Sequence, residues 1–434
     1  MSEDCLSLNV ICPEQAKAGK LPVAVGGLYS GGSANPSTNL THSVYQSTLA
    51  GKPIIAVSLN YRLTAFGFLS GSPEVSKHGS LNNGLRDQRL ALRWIQENIE
   101  TFGGDPAKVI IWGESSGALS VGKQLIAYQG RNDGLFRGAI MDSGGMVEKW
   151  PYNIANATAY GEDLYRNLTA TTGCLNETSS LERLRDLPIE QLSAALKYSA
   201  TPVFAGTGLG PWLTVVDGSV NTDSDFARLI ASAGPDEQAI ETLEILYPNV
   251  NAVGLPMDYH PTASDDAARG VQYKRAVAFL TDAVETSSRR LTLDTWAKAN
   301  ATAYSARLDL IPMDLPSYLG AFHGADLNIV FNNINSTGSN IGSTAYASPQ
   351  FRLASELMSR SWVSFVHDLN PNGHGVPHVP KWPAWQIENS AEVGSSFVFV
   401  AKANDSRSAY VELDTYKLAQ TRYINSIWST QLNY

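Results

Sequence analysis

The first 145 residues alternate between short apolar runs and a segment with helical periodicity. The apolar residues Leu85, Leu90, Leu92, Ile95 and Ile99 fit an amphipathic helix, which is predicted over residues 85–99. The apolar runs predict strands over residues 6–11, 21–25, 53–60, 109–112 and 138–142. Strands that alternate with helices predict an α/β protein whose mostly parallel central sheet is covered by helices on both faces.

The rest of the chain is predicted to be mainly helical. Between about residues 150 and 290 the pattern indicates helices and loops with few strands. Late strands are predicted over residues 301–310 and 397–400, and late helices over residues 353–366 and 418–428. No internal repeat or low-complexity segment is present, so 434 residues fit one large α/β domain with insertions or two domains.

A Gly-x-Ser-x-Gly motif follows the predicted strand at 109–112 and precedes a small-residue segment that can begin a helix. Gly113 and Gly117 leave room for a turn so tight that Ser115 adopts strained backbone angles. In this strand–turn–helix context Ser115 is a candidate nucleophile, and the amide of Ser116 faces the place where an oxyanion forms. An ordinary glycine-rich turn is the alternative.

Charge and hydropathy exclude several classes of partner. The net charge is -9, charged residues make up 17% of the chain, and no long basic run is present. We therefore expect neither nucleic acid nor an anionic membrane surface as a partner. No apolar stretch reaches the roughly 18 residues that a transmembrane helix needs, so no membrane span is predicted.

The sequence contains mixed indications about secretion. Met1 is followed by Ser-Glu-Asp-Cys rather than by a basic and then apolar leader, so no signal peptide is predicted in this chain. More Asn-x-Ser/Thr sequons are present than the roughly three expected by chance, which is typical of a secreted glycoprotein. They begin at Asn39, Asn156, Asn167, Asn176, Asn300, Asn335 and Asn404. Three cysteines, Cys5, Cys12 and Cys174, indicate a lost disulfide partner or a free thiol, with buried thiols in a cytosolic protein as the alternative.

Several motifs together resemble the type B carboxylesterases, the family that includes cholinesterases and many fungal esterases and lipases. The resemblance runs from end to end, and the block 83–117 is its most specific part. The matching segments are 3–10 (EDCLSLNV), 60–62 (NYR), 67–69 (GFL), 83–88 (NGLRDQ), 102–106 (FGGDP), 113–117 (GESSG), 216–218 (VDG) and 320–327 (GAFHGADL), with the surroundings of Trp362, Phe365, Trp382 and Pro383. The resemblance implies a single α/β-hydrolase domain over residues 1–434.

The resemblance also implies roles for individual residues. Ser115 corresponds to the nucleophile, and His323, in a loop after a late strand, corresponds to the general base. Serine before histidine is the chain order of α/β-hydrolases. Gly26 and Gly27 match the glycines whose amides, with that of Ser116, form the oxyanion hole. A surface-loop histidine and a glycine turn are the alternatives. The expected substrate is a small-molecule or lipid ester, with no cofactor and no metal ion, and the oligomeric state is left open.

The chain departs from the family pattern at the catalytic acid. The family places a glutamate in an Asp-Glu-Gly segment after a core strand, between a Val-Asp-Gly signature and an Asn-Thr-Asp-x-Asp-Phe stretch. Here residues 216–218 run almost directly into 221–226 (NTDSDF), so the strand and its acid are absent together. The neighbouring strands are expected to close up or to leave backbone groups unpaired.

Acids near this deletion do not restore the motif. They are Asp223, Asp225, Glu237 and Glu241, and the last two fit the polar face of a helix. The sequence therefore leaves the catalytic acid unknown. Since loss of this acid costs about 10⁴-fold in measured triads, the deletion bears directly on activity.

Two further departures concern the N-terminal region. The chain opens where family members already have a leader, their first strands and a cysteine that pairs with the position of Cys5. In addition, residues 21–25 (LPVAV) run straight into Gly26, four residues short of the family's strand, which shortens it by roughly 13 Å. We interpret the departures as a truncated or mis-spliced gene product. The expected function is a secreted serine carboxylic ester hydrolase, and the alternative is a catalytically impaired or non-catalytic cholinesterase-like protein.

Overall fold

The computed structural model describes most of the chain. The described residues are 4–14, 16, 19–26, 32–34, 36, 39–146, 154–199, 222–231, 235–313, 315–337, 343–387, 393–402 and 405–431. Of the residues discussed above, 1–3, Gly27, 216–218, Asn221 and Asn404 lie outside these ranges.

The described strands form two hydrogen-bonded ladders. Along the chain they are β1 (Leu8–Ile11), β2 (Leu21–Gly26), β3 (Ile55–Leu59), β4 (Gly104–Glu114), β5 (Gly138–Asp142), β6 (Ala306–Leu310), β7 (Ser395–Ala401) and β8 (Ala409–Leu413). The first ladder has the order β1-β3-β2-β4-β5, and only β1 runs antiparallel to its neighbour. The second has the order β6-β7-β8, with β6 parallel and β8 antiparallel to β7. The prediction of an α/β protein with a mostly parallel sheet is confirmed.

Helices occupy most of the remaining described chain. They are α1 (Thr41–Leu49), α2 (Thr64–Phe68), α3 (Pro73–Lys77), α4 (Asn83–Asn98), α5 (Ser116–Gly130), α6 (Ile154–Thr171), α7 (Ser180–Arg185), α8 (Ile189–Ser199), α9 (Asp223–Ala231), α10 (Glu237–Leu246), α11 (Ala263–Arg269), α12 (Tyr273–Thr281), α13 (Ser287–Lys298), α14 (Leu327–Val330), α15 (Pro349–Asp368) and α16 (Leu418–Gln431). A π turn over Asp282–Thr286 joins α12 to α13 without a break in the helical backbone.

Helices cover both faces of the first ladder, as predicted. Successive side chains of a strand point to opposite faces, so β2 contributes to two cores. Val23 and Val25 pack in one cluster with Ile95 of α4. Ala24 lies in the other cluster, with Trp112 of β4 and residues of α1 and α15. Burial of β2 on both faces explains its nearly continuous apolar sequence.

Helix α15 joins the two ladders through one core. It begins at Pro349 because the Ser348 hydroxyl caps it, accepting the Phe351 N–H at 3.2 Å, and proline suits the first helical position. Further along, the Trp362 ring lies 5.7 Å from the ring of Phe399 in β7. The same cluster contains side chains from β2, β3 and β4, so the ladders share a hydrophobic core.

The ladders are separate at the place where the family pattern indicates a missing strand. Among the described residues, β5 bonds only with β4, and β6 only with β7. All of β5 and most of β6 are half-buried, whereas β3 is buried throughout. The neighbouring strands therefore do not close up within the described part of the chain, because each remains at the edge of its own ladder.

A buried ion cluster fixes α13 to the second ladder. Asp414, directly after β8, accepts hydrogen bonds from Arg290 Nη2 at 2.9 Å and from Arg289 Nη2 at 2.6 Å. Arg290 also donates to the Thr421 hydroxyl of α16 at 2.5 Å. Burial alone would raise the pKa of Asp414, but the two arginines outweigh it and lower that pKa. The cluster therefore orients the helix that carries the π turn.

Three structural features bear on the environment of the protein. None of the described helices is long and apolar enough to cross a membrane. Cys5, Cys12 and Cys174 all lie in described segments, and all three are free thiols. The sequon asparagines that are described as exposed are Asn39, Asn176, Asn300 and Asn335, while Asn167 is half-buried.

Candidate active site

Ser115 lies at a sharp turn between β4 and α5. Its backbone angles are φ 55° and ψ -122°, outside the regions that an L-residue with a side chain normally occupies. A Cβ atom at Gly113 would lie 2.2 Å from the carbonyl carbon of Gly117, so the turn requires glycine there. The Ser115 N–H donates to the carbonyl oxygen of Asp142 in β5 at 2.9 Å. These contacts hold the strained serine at the carboxyl end of the first ladder.

His323 is brought to Ser115 from 208 residues away in the chain. It lies in the loop between β6 and α14, where the flanking residues Gly320 and Gly324 have φ values of 55° and 82°. Its Nε2 atom is 2.7 Å from the Ser115 Oγ atom, which is hydrogen-bond distance. A neutral imidazole that accepts the serine proton at Nε2 carries its own proton at Nδ1.

Two glutamates lie on opposite sides of the His323 ring. Glu114 Oε1 is 3.7 Å from Nε2, the atom that also contacts Ser115. Glu285 Oε1 is 3.9 Å from Nδ1, the other ring nitrogen. Glu285 belongs to the π turn, a local widening of the helix that is frequent at functional sites. The two ring nitrogens therefore face a hydroxyl on one side and a carboxylate on the other.

Burial shifts the pKa values of the carboxyls around this site upward. It raises the pKa of Glu114, whose Oε1 has no hydrogen-bond partner, and nearby Asp326 raises it further. Burial, with Asp326 again contributing, raises the pKa of Glu285 to about 7 and that of Asp142 to about 7. Burial also lowers the pKa of His323, so the neutral imidazole that a general base needs is favoured.

Asp142 is held by two indole rings. Its Oδ2 atom accepts hydrogen bonds from Trp112 Nε1 at 2.8 Å and from Trp362 Nε1 at 3.0 Å. The backbone carbonyl of the same residue anchors the Ser115 amide. Asp142 therefore links the turn that carries Ser115 to the hydrophobic core beneath it.

The candidate oxyanion donors lie at different heights along the sheet. The register pairs Val25 of β2 with Ile111 of β4, which places Gly26 beside Trp112. Gly26 is therefore about three residues, or about 10 Å, below the level of Ser115. Gly26 therefore does not reach the level of the Ser115 hydroxyl, and Gly27 lies outside the described residues.

Ser116 is the first residue of α5. Its amide is in the first helical turn, where N–H groups and the helix dipole favour a negative charge. Because it directly follows Ser115, it lies next to the position where an oxyanion would form. Of the three oxyanion candidates, Ser116 is the one that the described backbone places at the level of the serine hydroxyl.

A polar network beneath α5 uses the motifs that the sequence analysis singled out. Arg62 forms a two-point ion pair with Asp87, with Nε to Oδ2 and Nη2 to Oδ1 distances of 2.7 Å each. Gln88 of α4 donates to the Ser120 hydroxyl of α5 at 3.1 Å. Gln124 of α5 donates back to the Gln88 side chain at 3.3 Å. The network orients α5, and with it the amide of Ser116.

Of the acids that flank the deletion, Asp223, Glu237 and Glu241 are engaged elsewhere or exposed, and the side chain of Asp225 lies outside the described part of the structure. Asp223 Oδ1 pairs with Arg275 Nη1 at 2.6 Å, and Glu241 is an exposed residue of α10. Glu237, in the first turn of α10, is also exposed. Neither Asp223 nor these glutamates is among the carboxylates within 4 Å of His323. The described residues likewise contain no group of three or more His, Cys, Asp or Glu side chains placed to hold a metal ion.

Comparison with known proteins finds relatives over most of the chain. The sequence model of the Carboxylesterase family matches residues 1–244. Secreted lipase 1 of Botryotinia fuckeliana is 33% identical over 444 residues, which cover 90% of this chain and 72% of that protein. Lipase 5 of Diutina rugosa is 32% identical over 451 residues, which cover 92% of this chain and 75% of that protein.

Solved structures show the same fold. The crystal structure of Aspergillus niger EstA superposes with a TM-score of 0.76 at 26% identity and covers 99% of this chain and 85% of that one. The carboxylesterase EST55 of Geobacillus stearothermophilus has a TM-score of 0.72 at 24% identity, with 98% and 86% covered. The chain belongs to the carboxylesterase family of α/β-hydrolase fold and is a serine carboxylic ester hydrolase.

Proposed function

We propose that Ser115 is the nucleophile of this ester hydrolase and that His323 is its general base and then its general acid. The observation that carries the proposal is the 2.7 Å distance between Ser115 Oγ and His323 Nε2. The strained turn at Ser115 and the lowered pKa of His323 support it, because the turn presents the serine hydroxyl at the end of the strand and a base needs an unprotonated nitrogen.

The reaction divides into acylation and hydrolysis. In acylation Ser115 Oγ forms a bond to the ester carbonyl carbon while its proton passes to His323 Nε2. The Ser116 amide, at the first turn of α5, stabilises the oxyanion. His323 then protonates the leaving alcohol as its bond to carbon breaks. A water molecule, deprotonated by His323, releases the acid and returns Ser115 to its starting state.

The proposed substrate class is supported by the relatives, several of which are named lipases. We propose that this chain accepts simple carboxylic esters and acylglycerols. The test is hydrolysis of nitrophenyl esters of increasing acyl length beside an emulsified triacylglycerol. Turnover of both classes is expected. Turnover of soluble esters alone would restrict the enzyme to esterase activity, and no turnover of either would contradict the proposed function.

We further propose that the enzyme acts outside the cell. Two of its relatives are named secreted lipases, and four of the sequon asparagines are described as exposed. Expression from the native gene in a fungal host should place the protein in the medium with a mass that endoglycosidase lowers. Retention of the unmodified protein inside the cells would contradict this location.

A further inference from the structure

The Nδ1 side of His323 requires a partner that the sequence does not supply in the family's position. When Nε2 accepts the proton from Ser115, the ring becomes an imidazolium, and a carboxylate at Nδ1 stabilises that charge and fixes the ring. The family's glutamate is absent here together with its strand. The described residues place one carboxylate within 4 Å of Nδ1, that of Glu285, at 3.9 Å.

We propose that Glu285 takes over the role of the absent acid and is the positioning residue of His323. The proposal rests on the proposed function of Ser115 and His323. In this arrangement Nδ1–H of the ring donates to the Glu285 carboxylate throughout the reaction. The carboxylate remains ionised, and the proton that leaves Ser115 stays on Nε2 until the leaving alcohol takes it.

The other nearby carboxyls fit this role less well than Glu285. Glu114 lies on the Nε2 side of the ring, beside the serine hydroxyl, so it cannot fix the opposite nitrogen. Asp326 is 2% exposed and lies in the same loop as His323, and no ion pair joins it to the ring. Among the described carboxylates, Glu285 alone combines the correct ring nitrogen with a short distance.

The backbone around Glu285 is anchored on both sides. Within the π turn, buried Asp282 accepts a hydrogen bond from the Tyr247 hydroxyl at 2.9 Å. A few residues further on, Arg289 and Arg290 are held by Asp414 at 2.6 Å and 2.9 Å. The helix phase at Glu285 is therefore set by contacts unrelated to His323, and its side chain is directed to the ring by the fold.

The distance between Glu285 Oε1 and His323 Nδ1 is only slightly longer than a hydrogen bond. A distance of 3.9 Å is about 1 Å longer than a charged hydrogen bond. The Glu285 side chain is 37% exposed, so it has space to rotate toward the ring. Catalytic hydrogen bonds are often long in the resting enzyme and shorten when charge develops. The imidazolium that forms during acylation supplies that charge.

The charge state of the pair determines the expected pH profile. Glu285 faces His323, and Asp326 and Glu114 are the other titrating groups that act on it. Because burial raises the pKa of Glu285 to about 7, the active form, with neutral His323 and ionised Glu285, accumulates as the pH rises through about 7. Activity is therefore expected to rise with pH across this range.

The test compares Glu285→Gln with the matched control Glu241→Gln, an exposed glutamate of α10. Glu285→Gln is expected to lower kcat by about 10²- to 10³-fold with little change in KM. This is less than the roughly 10⁴-fold of buried triad acids, because Glu285 is partly exposed. The rising limb of the pH profile should move to lower pH, since the His323 imidazolium loses its stabilising charge. The control should match the parent chain.

A second measurement tests the interaction between Glu285 and His323 without depending on ester hydrolysis. In the Ser115→Ala background, NMR titration of His323 should show an apparent pKa about one unit lower when Glu285 is replaced by glutamine. In addition, formate should partly restore the activity of Glu285→Ala, because a small carboxylate can enter the partly open site. A role of Glu285 in folding alone would produce neither effect.

The outcomes separate the two proposals. An active parent chain with an unchanged kcat, pH profile and His323 titration in Glu285→Gln would overturn the role of Glu285 and leave that of Ser115 intact. A parent chain without esterase activity would contradict the proposed function, while the His323 titration still tests the contact with Glu285. A lower kcat with an acid-shifted limb and a lowered His323 pKa supports the proposal.

Discussion

Replacing Ser115 with alanine is expected to lower kcat/KM for ester hydrolysis by about 10⁴- to 10⁶-fold. In the proposed mechanism the Oγ atom attacks the ester, so no acyl-enzyme can form without it. In measured serine hydrolases, removal of the nucleophile costs about 10⁶-fold, and the oxyanion donors and binding retain a residual rate. The expected loss extends down to about 10⁴-fold because the distance from His323 Nδ1 to Glu285 Oε1, 3.9 Å, is longer than the hydrogen bond of a complete triad.

The control for this variant is Ser264→Ala, at an exposed serine in α11. Both variants should melt within a degree or two of the parent chain, since each removes one hydroxyl oxygen that is not part of the hydrophobic core. Parent-like turnover by Ser115→Ala would show that another residue is the nucleophile. An equal loss in both variants would point to a general effect on the protein preparation.

Replacing Asp414 with alanine is expected to lower the free energy of unfolding by about 3–5 kcal/mol. Asp414 and Arg290 side chains are 3% and 5% exposed, and Arg289 shares the same carboxylate. Removal of the carboxylate leaves guanidinium charge in the interior without its partner, and breaking one side of a buried pair costs this amount. Denaturant unfolding followed by tryptophan fluorescence measures the change.

The matched control breaks an exposed pair of the same chemistry. Asp405 pairs with Arg407 at 2.7 Å, and the arginine side chain is 57% exposed. Asp405→Ala is expected to cost at most about 1 kcal/mol, as is usual for surface ion pairs. Similar losses in the two variants would show that the Asp414 cluster contributes no more than a surface contact. Since this cluster fixes the helix that carries Glu285, Asp414→Ala should also lower kcat.

Apolar patterning predicted the strands of the first ladder well. The predicted strand at 138–142 coincides with Gly138–Asp142, and the predicted helix at 418–428 is extended only to Gln431. In contrast, Ala409–Leu413 was missed because this outer strand is short and only its first residue, Ala409, is buried. Such a short pattern is too weak to separate a strand from a loop.

The proposed catalytic pair was predictable because each member lies in a distinctive motif. The Gly-x-Ser-x-Gly turn marked Ser115, and the family resemblance marked His323. Glu285 was missed because the acid was sought beside the family's deleted strand. Its approach to His323 depends on the phase of a helix with a π turn, and a single extra residue in one helical turn leaves no signature in the apolar period.

The sequence predicted only in part how far strand β2, which leads to the candidate oxyanion glycines, extends toward Ser115. The sequence showed that residues 21–25 end four positions short of the family's strand. The register then placed Gly26 beside Trp112, about 10 Å below the level of Ser115. Strand register depends on pairing with β3 and β4, which sequence patterning alone does not specify.

The central claim is that Ser115 and His323 form a working nucleophile and base. The most direct test is covalent labelling of the parent chain with a nitrophenyl phosphonate ester, followed by peptide mapping, beside His323→Ala. We predict one phosphonyl group per chain, located on Ser115, and labelling at least about 10³-fold slower in His323→Ala. Labelling of a different residue, or equal labelling rates in the two proteins, would contradict the account.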